Sequence, residues 1–198
     1  MIHETVVTTC SANGTPHVAP MGARFEGDGE GERVILMPFR PSTTYDNVMA
    51  TGCAVMNFTT DVRVFAGCVT GRRRWPTLPA GTVPCVRLAG SLAHAELRLE
   101  HESGDPGRPV LTMRRVAEAT HAPFTGFNRA QAAVIEAAVL VSRLHLLPRE
   151  KIETEMDWLT IAIERTAGPA EREAWQWLTG AVAAFYSRTE RAFEREAS

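Results

Sequence analysis

The segment Pro38–Val48, PFRPSTTYDNV, carries the residue types that hold a phosphate group. It places Arg40 just before three consecutive hydroxyl side chains, Ser42, Thr43 and Thr44. If Thr43–Thr51 forms a short helix, its first amides have no partners within the helix and its positive end faces outward. A phosphate there would gain amide and hydroxyl hydrogen bonds and a charge-assisted contact with Arg40.

An ordinary capping box is the alternative interpretation of the same segment. In that case Thr43 caps the helix and Asp46, three residues later, bonds back to it. Capping explains one of the three hydroxyls and leaves two without a role. The residues alone leave both interpretations open.

The loop Gly71–Pro76, GRRRWP, is the sharpest cluster of charge in the chain. Three arginines beside a tryptophan could hold a nucleotide through phosphate pairing and stacking. A solvated loop is the alternative, and it suits the formal net charge of −2. Further along, Asn128 is a natural helix cap and Arg129 follows it as a secondary candidate for the site.

Composition indicates a globular chain of one domain, or one domain with an appendage, since 44% of its 198 residues are hydrophobic and 22% are charged. No run is long enough to span a membrane and no signal pattern begins the chain, so a cytoplasmic protein is expected. The near-neutral charge argues against nucleic-acid and membrane partners. Four scattered cysteines without a CxxC pair are expected to be packed thiols, and six histidines without metal-ligand spacing predict no metal site.

The first part of the chain predicts β-structure, because short β-branched runs alternate with turn signals such as Asn13-Gly14. The expected strands are Ile2–Cys10, Pro16–Phe25, Arg33–Met37, Gly52–Phe58, Cys85–Glu102 and Pro109–Ala119. Closely spaced short strands favour a barrel or a sandwich.

The last part of the chain predicts helices. Asn128–Leu147 is rich in alanine and leucine, and apolar stripes at helical spacing follow in Ile152–Ile163 and Trp175–Phe185. Trp158, Trp175 and Trp177 are expected in a core or a dimer surface. The expected division is a barrel over residues 1–122 and a helical region over residues 123–198 packed on it.

Three segments, in order, resemble the FMN-binding split-barrel superfamily, which includes flavin reductases and relatives of pyridoxamine-phosphate oxidase. They are GTPHVAPMGARF, VILMPFRPSTTYDNVMATG and CAVMNFTTD, which contain Ala19-Pro20-Met21-Gly22, Ser42-Thr43-Thr44, Asn47 with Thr51-Gly52, and Val55 with Asn57. The chain is most similar to a small, largely uncharacterised family of these proteins with a helical extension, here starting GFNRAQAAVIEAA at Gly126. The resemblance implies an α+β fold: a mostly antiparallel FMN-binding split β-barrel with a helical C-terminal region.

The resemblance also implies a set of cofactor-binding residues. The residues near the flavin ring would be Pro20, Met21, Gly22, Ala23 and Arg24. The residues near the phosphate would be Arg40, Ser42, Thr43 and Thr44. Asn47 and Asn57 would support the ribityl chain or bridge to a loop. Arg24 would supply positive charge that tunes the potential. Without the resemblance, Met21-Gly22 would be interpreted as a strand bulge and Asn57 as a turn former at a strand end.

The implied function is flavin-dependent redox chemistry in a homodimer, with a small-molecule electron donor or acceptor. No Rossmann fingerprint is present, so NADH or NADPH would bind only transiently over the flavin. No catalytic residue is predicted, because the flavin carries the reaction. The alternatives are a non-catalytic protein that stores or senses FMN and a nucleic-acid-binding module that uses the loop 71–76.

Overall fold

The computed structural model describes residues 1–27 and 29–196. The chain forms two compact units. The barrel unit comprises Met1–Thr60 and Arg73–Thr125, and the helical unit comprises Asp61–Arg72 and Gly126–Ser198. The expected packing of residues 123–198 on the barrel stays a prediction. Within the described residues, no helix is long and apolar enough to cross a membrane.

The barrel unit contains short antiparallel strands and one helix. They are β1 (Ile2–Cys10), β2 (Pro16–Glu26), β3 (Arg33–Leu36), α1 (Thr43–Thr51), β4 (Cys53–Phe58), β5 (Thr77–Pro79), β6 (Val86–Leu88), β7 (Ala93–Asp105) and β8 (Arg108–Thr120). Six of the strands close into a barrel in the order β1-β2-β3-β8-β7-β4, and β5 pairs with β6 separately. The predicted barrel is therefore confirmed.

The β1–β2 hairpin follows from the predicted turn. Gly14 has a φ of 82°, a left-handed conformation that glycine adopts without steric cost. The register then runs from Cys10 opposite Pro16 to Ile2 opposite Arg24 without interruption. The hypothesis of a bulge at Met21-Gly22 is therefore wrong, because each residue of that stretch faces a single partner on β1.

The interior of the barrel is filled by alternate residues of its strands. Its fully buried side chains include Val7, Val34, Leu36, Met56, Leu97, Leu111 and Met113. Because strand residues alternate between faces, their neighbours point outward. On β4 the outward set is also buried, since Val55 packs with Cys53, Val83 and Cys85 under the segment that leads into β6.

The prediction of one long strand over Cys85–Glu102 is wrong. The structure has two strands, β6 and β7, separated by residues 89–92. The amide of Leu92 donates to the carbonyl of Phe58, and the amide of Ser91 to that of Leu88. The chain turns here because β6 and β7 pair with different strands, β5 and β4 respectively.

Strand β2 is longer than the part of it that pairs with β3. Strand β3 has only four residues and pairs with Ala23–Glu26 of β2. The preceding part of β2, Pro16–Gly22, has β1 on one side and no strand on the other among the described residues. This stretch, which pairs with β1 alone among the described strands, is called the open edge below.

The helical unit contains α2 (Arg63–Val69), α3 (Arg129–Ser142), α4 (Arg149–Thr166) and α5 (Pro169–Glu196). Helix α3 contacts each of the other three helices. Its alanine-rich face is buried, with Ala133, Val134 and Ala137 at 3% exposure or less. Helix α2 was not predicted. The expected helix ending at Leu147 is shorter than predicted, since α3 ends at Ser142 and residues 143–147 form turns before Pro148.

The tryptophans of the helical unit differ in burial. Trp158 is 74% exposed on α4. Trp175 and Trp177 are half-buried on α5. A place in the core is therefore ruled out for Trp158, and its part in a dimer surface stays a prediction.

Candidate functional site

Helix α1 spans Thr43–Thr51, as predicted, but its N-cap residue differs from the predicted one. Ser42 is the N-cap, with an extended backbone, and its hydroxyl accepts from the amide of Tyr45 at 3.3 Å. The capping box on Thr43 is therefore wrong, since Thr43 is already helical. At the other end Gly52 adopts the left-handed conformation and its amide donates to Val48.

The three hydroxyls of this segment face different surroundings. Thr43 is exposed, Ser42 is half-buried and engaged in capping, and Thr44 is 2% exposed. The amides of Thr43 and Thr44 have no acceptor within the helix, because the first turn of any α-helix leaves its amides without one. The exposed part of the α1 N-terminus therefore offers backbone donors and the Thr43 hydroxyl.

Arg40 lies at the same end of α1. Its guanidinium is 4.5 Å from the centroid of the Tyr45 ring, and its amide donates to the carbonyl of Gly107 at 3.1 Å. The Tyr45 hydroxyl donates to Glu102 at 2.6 Å, and this hydrogen bond, together with burial, raises the pKa of the phenol. The phenol therefore stays neutral, and Arg40 is an exposed cation with a preferred position beside the helix end.

A second arginine lies close to this segment. The Arg108 guanidinium is 4.9 Å from the centroid of the Phe39 ring, and Phe39 precedes Arg40 in the chain. Two cations and the positive end of α1 therefore favour an anion in this part of the barrel unit.

The predicted ring-contacting residues follow one another along β2. Ala23 is fully buried inside the barrel, and Met21 packs against the same core. Pro20 and Gly22 are half-buried on the other face. A Cβ on Gly22 would lie 2.8 Å from Cγ2 of Ile2, so the missing side chain of this glycine makes room for β1.

Arg24 lies two residues beyond the open edge, where β2 pairs with both β1 and β3. Its Nη2 is 3.4 Å from the Met37 sulfur and 3.8 Å from the Glu26 carboxylate. Its Nε is buried and has no hydrogen-bond partner among the described residues. A buried donor without an acceptor is rare in folded proteins, so the hydrogen bonding of Arg24 is left incomplete by the residues around it.

The open edge and the α1 N-terminus are brought close by the chain itself. Leu36, the last residue of β3, pairs with Ala23 of β2. Arg40 follows only four residues later, so its backbone lies within about 14 Å of Leu36. The structure therefore places the two predicted halves of the site, Pro20–Arg24 and Arg40–Thr44, in one part of the barrel unit.

The two predicted asparagines are engaged with the protein. Asn47 is 5% exposed, and its side-chain Nδ2 donates to the Thr9 hydroxyl at 3.0 Å. Asn57 is fully buried; its Nδ2 donates to the carbonyl of Val6 at 3.0 Å, and its Oδ1 accepts from the amide of Leu88 at 2.7 Å. Asn57 therefore connects β1, β4 and β6, which is the bridging role rather than a turn at a strand end.

A row of polar groups that sequence reasoning missed is formed by His94 and Glu96 of β7 and by His121, which follows β8. The Nδ1 atom of His94 is 2.9 Å from Nε2 of His121. The Nε2 atom of His94 is 3.3 Å from Oε1 of Glu96. The pair His94 and Glu96 has the spacing of one strand face and could have been noticed. The contact with His121 depends on the β7–β8 register, which pairs Ala93 with Thr120.

Glu96 is a buried carboxylate that fastens the segment before β6. It is 2% exposed and accepts from the amides of Gly81, Thr82 and Val83 at 2.7–2.8 Å. Burial alone would raise its pKa, but these amides and His94 outweigh burial, so the pKa is lowered. His121 is the exposed member of this row of polar groups. Burial and the nearby Arg87 and His94 lower its pKa.

Three of the four cysteines are packed as expected, whereas Cys68 on α2 is half-buried. Cys10, Cys53 and Cys85 are buried in the barrel unit, and the Sγ atoms of Cys10 and Cys85 are 3.3 Å apart. Burial and the neighbouring Cys10 raise the pKa of Cys85, so its thiol stays protonated. Nothing in this arrangement suggests a nucleophile.

The remaining candidates are divided between the two units, and one of them, Arg73, acts on His17 of the open edge. Arg72 belongs to the helical unit, where its guanidinium is 4.4 Å from the centroid of Trp177. Arg73 belongs to the barrel unit, where burial and then Arg73 lower the pKa of His17. Asn128 caps α3 as predicted, accepting from the amide of Ala130 at 2.8 Å, and Arg129 is exposed.

Two family models match the chain. The N-terminal domain of a protein of unknown function, DUF447, matches residues 3–122, and a second DUF447 model matches residues 128–180. Among curated proteins, none matches this sequence.

Several solved structures share the fold. An FMN-bound protein of Methanosarcina mazei, assigned to the same family model, has a TM-score of 0.77 at 20% identity over 91% of this chain and 94% of that one. The 2-nitrobenzoate 2-nitroreductase of Pseudomonas fluorescens has a TM-score of 0.52 at 16% identity, over 60% and 64%. The NADH:FAD oxidoreductase of Streptomyces globisporus has a TM-score of 0.52 at 10% identity, over 61% and 71%. The fold is thus the split β-barrel of flavin-binding proteins.

Proposed function

Since this chain belongs to the DUF447 family, we propose that it binds FMN between the open edge of β2 and the N-terminus of α1. The observation that carries the proposal is a pair of unsatisfied features in one part of the barrel unit. These are the buried, unpartnered Nε of Arg24 and the exposed helix end beside Arg40. One feature suits the acceptor-rich edge of a flavin ring and the other suits its phosphate.

The phosphate half is assigned to the helix end. Arg40 pairs with the phosphate, Thr43 donates its hydroxyl, and the amides of the first turn complete the set. Ser42 acts by capping, because its hydroxyl already accepts from Tyr45. Thr44 supports the site from inside, since it is buried.

The ring half is assigned to Pro20–Arg24. Within this stretch, Pro20–Gly22 has no strand on the side away from β1 among the described residues, so its main-chain atoms can bond the polar edge of the ring. The Arg24 guanidinium donates to the ring and stabilises negative charge that develops there on reduction. Asn47 and Asn57 act through the backbone they connect, by holding α1 and β4 against β1.

Bound FMN would supply hydride and electron transfer, accepting two electrons from a reduced nicotinamide, NADH or NADPH, and passing them to a small-molecule acceptor. The chain positions the ring, fixes the phosphate and sets the potential. The nitroreductase and the NADH:FAD oxidoreductase with this fold support such chemistry. We further propose that the protein acts as a homodimer in the cytoplasm. Storage or sensing of FMN without turnover is the competing function.

The proposal is tested by titrating the purified protein with FMN and with riboflavin, which lacks the phosphate. Arg40→Ala is expected to weaken FMN binding by about 1–3 kcal/mol, the range of a charge-assisted bond, and to leave riboflavin binding nearly unchanged. Arg98→Ala on β7 removes an exposed arginine elsewhere and should change neither affinity. Equal losses for both flavins in Arg40→Ala would contradict the assignment of the phosphate.

Turnover is tested separately by adding NADH or NADPH to the FMN-loaded protein without oxygen. Bleaching of the flavin absorption within the mixing time of a manual assay supports an oxidoreductase. A flavin that binds with the predicted Arg40 dependence but is never bleached identifies a storage or sensing protein.

A further inference from the structure

A cleft of about 460 Å³ lies within the helical unit, between the end of α2 and one face of α5. This volume falls in the range of small-molecule sites. From α2 and the residues after it, the cleft is lined by Val69, Thr70 and Arg72. From α5 it is lined by Gln176, Trp177, Gly180, Ala181, Ala184 and Arg188.

The charge of the cleft is positive at both ends. Trp177 and Arg188 are eleven residues apart on α5, which places them about 16 Å apart along the helix. Arg72 lies at the Trp177 end, and the lining contains no acidic residue. Arg188 forms no ion pair with any side chain that the structure describes.

Arg72 is held in position before any ligand arrives. Its amide donates to the carbonyl of Gly67 at 2.7 Å, and its Nη1 donates to the Thr70 hydroxyl at 3.0 Å. Its guanidinium covers the Trp177 ring at 4.4 Å. A guanidinium fixed flat in this way gives this end of the cleft a planar, positively charged group.

Gly180 gives the second indication, which is independent of charge. It lies inside a helix of 28 residues, where glycine is less favourable than alanine. A Cβ built on Gly180 would meet no atom within 4 Å, so no neighbouring protein atom requires a glycine here. The glycine keeps the floor of the cleft free of side chains, and Ala181 and Ala184 extend that floor.

We infer that this cleft binds a nucleoside monophosphate or a closely similar planar anion. The base lies on the floor formed by Gly180 and Ala184, beside the stacked Arg72 and Trp177, and the phosphate pairs with Arg188. A second copy of this helix face fits less well, because it would bring the arginines of both copies together.

The inference is tested with AMP, adenosine and inorganic phosphate as probes, titrated calorimetrically into protein that carries one equivalent of FMN. AMP is expected to bind at least about tenfold more tightly than adenosine, in line with one charge-assisted contact. Arg188→Gln should weaken AMP about tenfold and leave adenosine unchanged. Arg191→Gln, an exposed arginine outside the lining, should change neither.

Two further variants separate the cleft from other sites. Gly180→Leu should abolish binding of both AMP and adenosine by filling the floor, with its fold checked by circular dichroism. Arg40→Ala should leave AMP binding intact, because Arg40 belongs to the barrel unit, so the cleft can fail or succeed independently of the proposed flavin site.

Three results would overturn the inference. The first is no AMP binding to the wild-type protein at millimolar concentration. The second is an equal loss of AMP and adenosine in Arg188→Gln. The third is a change from a larger to a smaller oligomer in Gly180→Leu, which would assign the cleft to a second copy of the chain.

Discussion

The side chain of Glu96 shows how one buried charge can hold a long segment in place. Three consecutive amides converge on its carboxylate, so the segment before β6 is attached to β7 through a single residue. Replacing it with Glu96→Gln keeps the shape but removes the charge that these donors favour. We expect a loss of about 2–3 kcal/mol in the free energy of unfolding at pH 7, measured by urea denaturation.

The same residue predicts a pH dependence of definite sign. Its folded-state pKa is lowered, so its contribution is present above the unfolded value of about 4.5 and is lost as the pH falls through the folded pKa. The wild-type protein should therefore lose stability below about pH 4.5 more steeply than Glu96→Gln. Glu118→Gln, with a side chain that is 64% exposed, is the control and should follow the wild type. Parallel profiles for wild type and Glu96→Gln would contradict the prediction.

Asn57 should behave differently from Arg40 when it is replaced. Asn57→Ala leaves the Leu88 amide and the Val6 carbonyl without their partner inside the barrel unit. We expect a loss of about 3 kcal/mol in stability, since each buried unsatisfied group costs about 1–3 kcal/mol. FMN and riboflavin affinity should fall together. A selective loss of FMN at unchanged melting temperature would instead place Asn57 at the phosphate.

Which residues could be predicted depends on whether local chemistry decides their role. The hydroxyl-rich segment and the Asn128 cap were recognisable because capping and phosphate binding follow from adjacent residues. The choice of Ser42 over Thr43 as cap depends on one backbone angle, which composition does not reveal. The partnership of His94 with His121 requires the strand register and was not accessible from spacing.

At the scale of elements, a glycine inside α5 and a glycine at the end of α1 are predicted to respond oppositely to replacement by alanine. Gly180 has open space above it and ordinary helical geometry, so Gly180→Ala should stabilise the protein by about 0.5–1 kcal/mol. Gly52 ends α1 with a φ of 67°, where a side chain is strained, so Gly52→Ala should destabilise by about 1 kcal/mol. Thermal unfolding of both variants measures the difference, and shifts of the same sign would contradict it.

The elements themselves were predictable where a pattern is long and its boundaries are marked. β1, β2 and α1 follow from β-branched runs, the Asn13-Gly14 turn and Gly52. Helix α2 has only seven residues and contacts α3 and α5, which are distant in sequence, so tertiary packing decides it. The break between β6 and β7 was missed for the same reason, because both flanks are apolar and the pairing partners differ.

For the whole molecule, the expected homodimer gives a prediction about assembly. Light scattering should give twice the chain mass of 21.7 kDa. If both subunits contribute to each flavin site, mixed dimers of wild type and Arg40→Ala should bind flavin non-additively. Strict additivity would show that each site lies within one subunit. Arg98→Ala in the same mixing experiment controls for the exchange itself.

Which residues belong to the barrel unit and which to the helical unit could not be predicted from the sequence. Residues 61–72 lie between barrel strands in the chain but belong to the helical unit, and the loop 71–76 is divided between Arg72 and Arg73. A single boundary near residue 122 separates the strand-rich part of the chain from the helix-rich part, but it assigns residues 61–72 to the barrel. Their place in the helical unit results from the packing of α2 against α3 and α5.

The open edge of β2 has a consequence for the ligand-free protein. A row of backbone groups without a neighbouring strand is a template onto which any foreign extended peptide can be added. On the proposed binding of FMN beside this edge, chains without FMN should therefore self-associate more readily than chains that carry it.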